Sequence, residues 1–162
     1  MKNKWVKIAI IIGITLLCIT LDQASKYIAI SNLKEFDSVT IIDNFFYWTL
    51  CYNTGGAWSL FSDSTWLLAL ISVIALGFII YTLFKSKSLL YQVSASVFMG
   101  GLVGNLIDRL FNGKVTDFID FVIFGYDFPV FNIADICICV SSVFIVLSIL
   151  KDDKKDGNEI SE

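Results

Sequence analysis

Two aspartates, Asp117 and Asp135, are the residues whose type and spacing could support hydrolytic chemistry. They lie in residues 115–118 (VTDF) and 131–135 (FNIAD), on either side of a short segment. The chain contains no histidine, which excludes Ser-His-Asp and Cys-His nucleophile systems and histidine-bearing zinc motifs. Two neighbouring carboxylates share a proton, so one can activate water while its protonated partner polarises a carbonyl. The pair therefore predicts peptide-bond hydrolysis without a metal or a cofactor.

The composition predicts that a membrane positions these aspartates. Of the 162 residues, 56% are hydrophobic and only 17% are charged, and the mean hydropathy is +0.74. Soluble domains average about 25% charged residues. Four apolar stretches, residues 5–21, 66–84, 91–110 and 133–150, fall within the roughly 17–25 residues that a transmembrane helix needs. We expect an all-α membrane protein in which residues 1–150 form a single domain of four transmembrane helices.

The basic residues predict the orientation of this domain. They are concentrated at the amino terminus, between the second and third apolar stretches and after the fourth, so both termini are expected to be cytoplasmic. Asp117 would then lie in an outer loop and Asp135 in the first turn of the fourth span. Residues 151–162 are polar and highly charged, which predicts a disordered cytoplasmic tail.

The first outer loop, residues 31–63, is too long for a simple turn. It contains β-branched and aromatic runs at residues 39–42 (VTII) and 45–48 (FFYW), which predict a small sheet lying on the outer membrane surface. The alternative is an aromatic belt at the membrane interface, which would need no function.

Polar residues at the ends of the predicted spans are functional candidates, because polar groups in a membrane are costly. Asp22 and Lys26 have i,i+4 spacing, and Asn132 and Asp135 have i,i+3 spacing, so each pair can share a helix face. The third span contributes a further polar group, comprising Asn105, Asp108 and Arg109.

Several of these residues also have structural interpretations. Asp22 with Lys26, and Asp108 with Arg109, could be ion pairs that only stabilise the bundle. Gly100, Gly101 and Gly104 are small residues that would let helices approach closely.

Two other classes of protein compete with an aspartate-dependent hydrolase. A small carrier or proton-coupled channel would also use intramembrane carboxylates, but it would place polar residues near the bilayer midplane, where the second and fourth spans are largely apolar. A serine peptidase could pair a serine with Lys26, although the adjacent Ser25 has unsuitable geometry on a helix.

Five ordered blocks together resemble lipoprotein signal peptidase, also called signal peptidase II. They are residues 21–26 (LDQASK), 53–58 (NTGGAW), 100–109 (GGLVGNLIDR), 115–118 (VTDF) and 131–135 (FNIAD). The blocks run from the first span to the fourth. Each block alone would be a weak signal, but their order makes the resemblance specific.

The resemblance implies an aspartic endopeptidase of the bacterial cytoplasmic membrane, with four transmembrane helices and both termini inside. Such an enzyme removes signal peptides from diacylglyceryl-modified prolipoproteins and cuts just before the lipidated cysteine. The implied partners are these substrates and membrane lipid, with no nucleic acid, no metal and no cofactor, and the protein is expected to be a monomer.

By position, Asp117 and Asp135 match the catalytic pair of that family. The residues that match substrate-lining or supporting positions are Asn53, Asn105, Arg109, Asn132, Asp22, Lys26, Gly104 and Asp108. One block departs from the family pattern, because Gly56, Ala57 and Trp58 stand where Ala-Ala-Phe is usual. The bulkier Trp58 is expected to change the local shape of the pocket.

Overall fold

The computed structural model describes residues 2–56, 61 and 64–159, which form four helices and four short strands. The helices are α1 (Lys2–Asn32), α2 (Thr65–Lys85), α3 (Leu89–Asn112) and α4 (Ile133–Glu159). Each contains an apolar segment long enough to cross a bilayer. The expected fold class, four transmembrane helices with a small sheet, is confirmed.

Two helices are longer than the apolar runs predicted. The α1 helix continues past Asp22 and Lys26 to Asn32, because these two charged side chains are buried against other helices. The backbone of α4 remains helical to Glu159, beyond residue 150 where the tail was expected to begin. The disorder of residues 151–162 stays a prediction. Trp58, which was expected to reshape the pocket, lies outside the described residues.

The α3 helix is the centre of the bundle, because most of its apolar segment is buried while the other three helices expose most of theirs. Glycines of α3 allow the close approach of its neighbours. A Cβ at Gly100 would lie 2.5 Å from Cys18 Cβ in α1, and one at Gly101 would lie 2.5 Å from the carbonyl oxygen of Ala134 in α4. The packing interpretation of the small residues is thereby confirmed.

The strands form one antiparallel array at the end of the bundle where α1 and α3 finish and α4 begins. Strands β1 (Ser38–Ile42), β2 (Phe46–Asn53), β3 (Val115–Ile123) and β4 (Tyr126–Asp127) lie in the order β1-β2-β3-β4. The sheet predicted for residues 31–63 is confirmed, but it is only half of the observed one. Strands β3 and β4 come from the segment between α3 and α4, so Asp117 lies in a strand and the expected loop position is wrong.

The sheet is joined directly to the start of α4. Phe131 exchanges backbone hydrogen bonds with Ile119 of β3, at 2.8 and 3.0 Å. The next residue, Asn132, is thereby held beside the first half of β3. We call this end of the bundle the sheet end.

Candidate active site

Asp117 lies near the start of β3 with its side chain buried in the protein. Its Cα pairs with that of Cys51 on β2, and its residue is only 2% exposed. Burial of a carboxyl group requires hydrogen-bond partners. Two amides supply them, since Asn132 donates to Oδ1 at 2.6 Å and Asn53 donates to Oδ2 at 3.3 Å.

Asp135 occupies the third position of α4, where it forms a reciprocal cap with Asn132. The Asp135 backbone N–H donates to Asn132 Oδ1 at 2.9 Å, and the Asn132 N–H donates to Asp135 Oδ2 at 3.2 Å. This is the pattern of a capping box, with Asn and Asp in place of Ser/Thr and Glu. The start of the helix therefore fixes the Asp135 side chain.

The two aspartates are linked by a buried amide network. Asn132 donates to Asn105 Oδ1 at 3.1 Å as well as to Asp117, and Asn105 donates to Asp135 Oδ1 at 2.8 Å. Asn132 and Asn105 are 0% and 4% exposed, so both amides are held almost entirely by protein groups. The structure thus brings Asp117, Asp135, Asn105 and Asn132 into one cluster, as the sequence predicted.

A buried charge cluster supports this network from α1 and α3. Lys26 Nζ lies 2.9 Å from Asp22 Oδ2 and 3.1 Å from Asp108 Oδ2, and it also donates to Asn105 Oδ1 at 2.9 Å. The cluster contains two carboxyl groups but one lysine, and each carboxyl group also accepts a hydrogen bond from a backbone N–H. Asp22 accepts from the Ala134 N–H at 2.9 Å, and Asp108 accepts from the Thr116 N–H at 3.0 Å. The cluster therefore fixes the segments that carry both Asp135 and Asp117.

The Asp22–Lys26 ion pair is confirmed, but the expected pair of Asp108 with Arg109 is not formed. Asp108 is bonded to Lys26, and within the described residues Arg109 makes no salt bridge. Instead Arg109 Nη2 donates to the Gly55 carbonyl at 3.2 Å. The sequence missed Gln23, whose amide donates to Asp22, Asp108 and the Gly104 carbonyl at 3.1 Å each. Its i,i+3 spacing from Lys26 was the available signal.

Gly104 is necessary for this charge cluster to form. A Cβ at Gly104 would lie 2.5 Å from Asp22 Oδ2 and 3.3 Å from the Ala134 Cβ. Only glycine leaves room for the Asp22 carboxylate between α3 and α4.

The environment of Asp117 favours its protonated form. Burial raises the pKa of Asp117 to about 7, and the negative charge of Asp135 raises it as well. Hydrogen bonds from Asn132 and Asn53 and the positive charge of Lys26 act in the opposite direction on this pKa. A carboxyl group that exchanges its proton near neutral pH is suited to acid-base chemistry.

A cavity of about 860 Å³ opens beside the two aspartates. Asn53, Asn105, Arg109, Asp117 and Asp135 form its polar side. The rest of its lining is largely apolar and follows the start of α4, comprising Phe128, Pro129, Val130, Phe131, Ile136, Ile138 and Val140 among others. The cavity therefore offers an amphipathic ligand a polar reaction centre next to a lipid-like wall.

Thiol chemistry has little support at this site. Cys51 lines the cavity, but burial, with the nearby charges of Asp117 and Asp120, raises the pKa of its thiol to about 12. A thiol with this pKa is not ionised near neutral pH. Across the described residues, no group of three or more His, Cys, Asp or Glu side chains is arranged to hold a metal ion.

The geometry also disfavours the two rival classes. Ser25 donates to the Asp22 carbonyl at 2.8 Å, and Lys26 is engaged in the charge cluster, so the two form no dyad. The hydroxyls within the spans of α2 and α4, at Ser72 and Ser142, donate to carbonyls of their own helices. These hydroxyls trace no polar path through the bilayer, and the carrier hypothesis is not favoured.

The fold and the site together define a polytopic membrane protein with a hydrogen-bonded aspartate pair at one end of its helices. Comparisons with known proteins identify its relatives. The family model described as signal peptidase (SPase) II, Peptidase_A8, matches residues 14–151.

Curated and solved proteins show the same relationship. Lipoprotein signal peptidases of Listeria monocytogenes serotype 4a (strain HCC23) and Listeria innocua serovar 6a (strain ATCC BAA-680 / CLIP 11262) are each 38% identical over 144 residues, which is 88% of this chain and 94% of theirs. A bacterial membrane enzyme solved by the in meso method at 2.3 Å has a TM-score of 0.85 and 37% identity, covering 91% of this chain and 92% of that one. The chain belongs to the signal peptidase II family and is a peptidase.

Proposed function

We propose that this protein removes signal peptides from prolipoproteins, and that it does so as an aspartic endopeptidase. The observation that carries the mechanism is the pair of carboxylates joined through Asn132, with Asp117 hydrogen-bonded to its amide and Asp135 to its backbone N–H. The names of the curated relatives support the substrate class.

In the proposed reaction the two aspartates share one proton. The ionised carboxylate accepts a proton from a water molecule as the water oxygen attacks the scissile carbonyl carbon. The protonated partner transfers its proton to the carbonyl oxygen, so a neutral tetrahedral diol forms and the pair still holds one proton. That proton then passes to the leaving nitrogen while a diol hydroxyl returns its proton to the other carboxylate, and the C–N bond breaks to give a carboxylic acid and an amine. The pair returns to its singly protonated state.

The surrounding amides would help to present the peptide bond. A signal peptide enters as an apolar helix whose backbone carbonyls are already hydrogen-bonded, so the segment to be cut must unwind locally. Asn53 and Arg109 line the cavity beside the aspartates and can satisfy backbone groups freed by unwinding. Asn105 also lines the cavity, whereas Asn132 is fully buried, and both amides orient the aspartates.

The proposed location is the bacterial cytoplasmic membrane, with both termini in the cytoplasm and the sheet end at the outer leaflet. The lysines at the opposite end support this orientation. At the outer leaflet, the diacylglyceryl chains of a modified precursor could remain in lipid along the apolar wall of the cavity while water reaches the aspartates. Lipid modification of the substrate should therefore promote cleavage.

The test is cleavage of a purified prolipoprotein by the full-length protein reconstituted in lipid, read out by product mass. We expect one cut immediately before the diacylglyceryl-modified cysteine and little or no cleavage of the unmodified precursor. Exhaustive chelation should leave the rate unchanged. Equal rates on both precursors would overturn the lipid requirement, and loss of activity that one divalent cation restores would overturn the metal-free aspartic mechanism.

A further inference from the structure

A second cavity, separate from the candidate active site, lies between α1 and α3 toward the end opposite the sheet. The two helices run parallel and touch where Thr15 Oγ1 donates to the Ser96 carbonyl at 3.0 Å and where Gly100 faces Cys18. Toward their amino termini they separate, and a cavity of about 360 Å³ opens between them.

Two lysines and an apolar wall line this second cavity. Lys7 of α1 and Lys87, just before α3, contribute the cationic groups, and both side chains are exposed. Ile10, Ile11, Ile14 and Val93 contribute the apolar surface. No acidic residue lines the cavity, and among the described side chains neither lysine forms a salt bridge.

We propose that this cavity binds an anionic diacyl phospholipid, with the phosphate between Lys7 and Lys87 and part of one acyl chain between α1 and α3. Lysines at the membrane interface reach toward the polar headgroups, where phosphate supplies the missing negative charge. The apolar residues lie on the bilayer side of these lysines along α1, which is the direction an acyl chain takes from its headgroup.

The charge argues against a substrate helix in the same place. The positively charged start typical of a signal peptide would be repelled by Lys7 and Lys87, whereas an anionic headgroup is attracted.

Native mass spectrometry of the full-length protein, titrated with phosphatidylglycerol or phosphatidylcholine, tests the proposal. We expect one phosphatidylglycerol to bind more tightly than phosphatidylcholine. The Lys7→Gln, Lys87→Gln double variant should weaken that binding by about thirtyfold, because each lysine near an anionic headgroup contributes roughly fivefold. Both lysines are exposed, so the variant should fold and should cleave substrate in detergent like the wild type.

The matched control is Lys4→Gln, Lys85→Gln, which removes the same charge from the same end but not from the cavity. This control variant should bind phosphatidylglycerol as tightly as the wild type does. Equal losses in the two double variants, or no preference over phosphatidylcholine, would overturn the proposal.

A second pair of variants tests the acyl-chain part. Val93→Trp fills the cavity without changing charge and should weaken phosphatidylglycerol binding, and Ile11→Phe should do the same if the larger substitution fails to fold. Slower cleavage by these variants in pure phosphatidylcholine nanodiscs, where no anionic lipid is present, would instead show that substrate occupies the cavity.

Discussion

Asn132 and Asp135 cap each other at the start of α4, with the side chain of each accepting the backbone N–H of the other at 2.9 and 3.2 Å. The Asn132 amide nitrogen also reaches Asp117 Oδ1 at 2.6 Å. The Asn132 side chain thus caps α4 and also fixes the position of Asp117 relative to Asp135.

These two roles of Asn132 can be separated by substitution. Serine caps helices about as well as asparagine, so Asn132→Ser should preserve the start of α4 and be about 1 kcal/mol more stable than Asn132→Ala. Serine is too short to cap α4 and also bind Asp117, so the cleavage rate should fall at least tenfold. Asn132→Ala should lose both functions. Wild-type activity in the serine variant would show that the link to Asp117 is unnecessary.

Replacing either aspartate of the pair should abolish cleavage. In Asp117→Asn and Asp135→Asn the amide keeps the side-chain size but cannot accept the proton of water, so each loss should exceed the roughly 10²–10⁴-fold expected for one acid-base group. The double variant should be little worse than either single variant, because the pair acts as a unit. Initial rates of cleavage of the lipid-modified precursor by the single and double variants test this prediction.

Asp120 is the matched control for these substitutions. It lies on the same strand, is half-buried, and accepts a hydrogen bond from Thr49 Oγ1 at 2.7 Å. Asp120→Asn can still accept that bond and should retain most activity. Substantial turnover by both single variants at Asp117 and Asp135 would remove the catalytic assignment.

The raised pKa of Asp117, about 7, predicts loss of activity on the alkaline side of neutrality, where the pair loses its shared proton. The Asn53 hydrogen bond lowers this pKa, so Asn53→Ala should shift the alkaline limb of the rate profile to higher pH. Asn32→Ala, at the exposed end of α1, should leave the profile in place. An unshifted limb in Asn53→Ala would show that Asp117 does not set it.

The same shift predicts the direction of one contribution to stability. Because the Asp117 pKa is raised from 3.8, the folded protein binds more protons than the unfolded chain between about pH 4 and 7. The contribution of Asp117 to the unfolding free energy is full below pH 4 and is lost as the pH rises through 7. In Asp117→Asn the stability should fall less steeply across this window.

Gly104→Ala should destabilise the protein by about 1–3 kcal/mol, because the added methyl group would lie 2.5 Å from Asp22 Oδ2, which is held by Lys26 and Gln23. Gly77→Ala is the control, since a Cβ at Gly77 meets nothing within 4 Å. That variant should be unchanged or more stable by up to about 1 kcal/mol. Thermal unfolding in detergent distinguishes them, and equal melting temperatures would contradict the close-packing explanation.

Lys26→Met should destabilise the protein by about 3–5 kcal/mol, because it leaves Asp22 and Asp108 buried without their cation. Adding Asp22→Asn and Asp108→Asn to Lys26→Met removes the uncompensated charges and should restore part of the stability. Lys114→Met, which only removes a cation from the face of Tyr52, should cost about 0.5–1 kcal/mol. If Lys26→Met lowered the unfolding free energy by less than about 1 kcal/mol, the charge cluster would contribute little to stability.

Local sequence patterns were sufficient to locate the four helices, while the roles of the site residues follow from the family resemblance and stay predictions. Apolar runs predicted the four spans, and the i,i+4 spacing of Asp22 and Lys26 predicted their pairing. The register that sets Cys51 opposite Asp117 was not predictable, because it depends on two segments far apart in the chain. The partner of Asp108 was missed for the same reason, since Lys26 approaches it only after α1 packs against α3.

The long-range pairing of β2 with β3 constrains how the protein is made. As the chain emerges from the ribosome, α1 and α2 enter the bilayer with Lys26 facing one carboxylate, and Asp108 arrives only with α3. Asp117 follows on β3, and Asn132 and then Asp135 come last, at the start of α4. Under the proposed mechanism, a nascent chain that lacks α4 also lacks Asp135, so it would be membrane-inserted but inert until α4 has been synthesised.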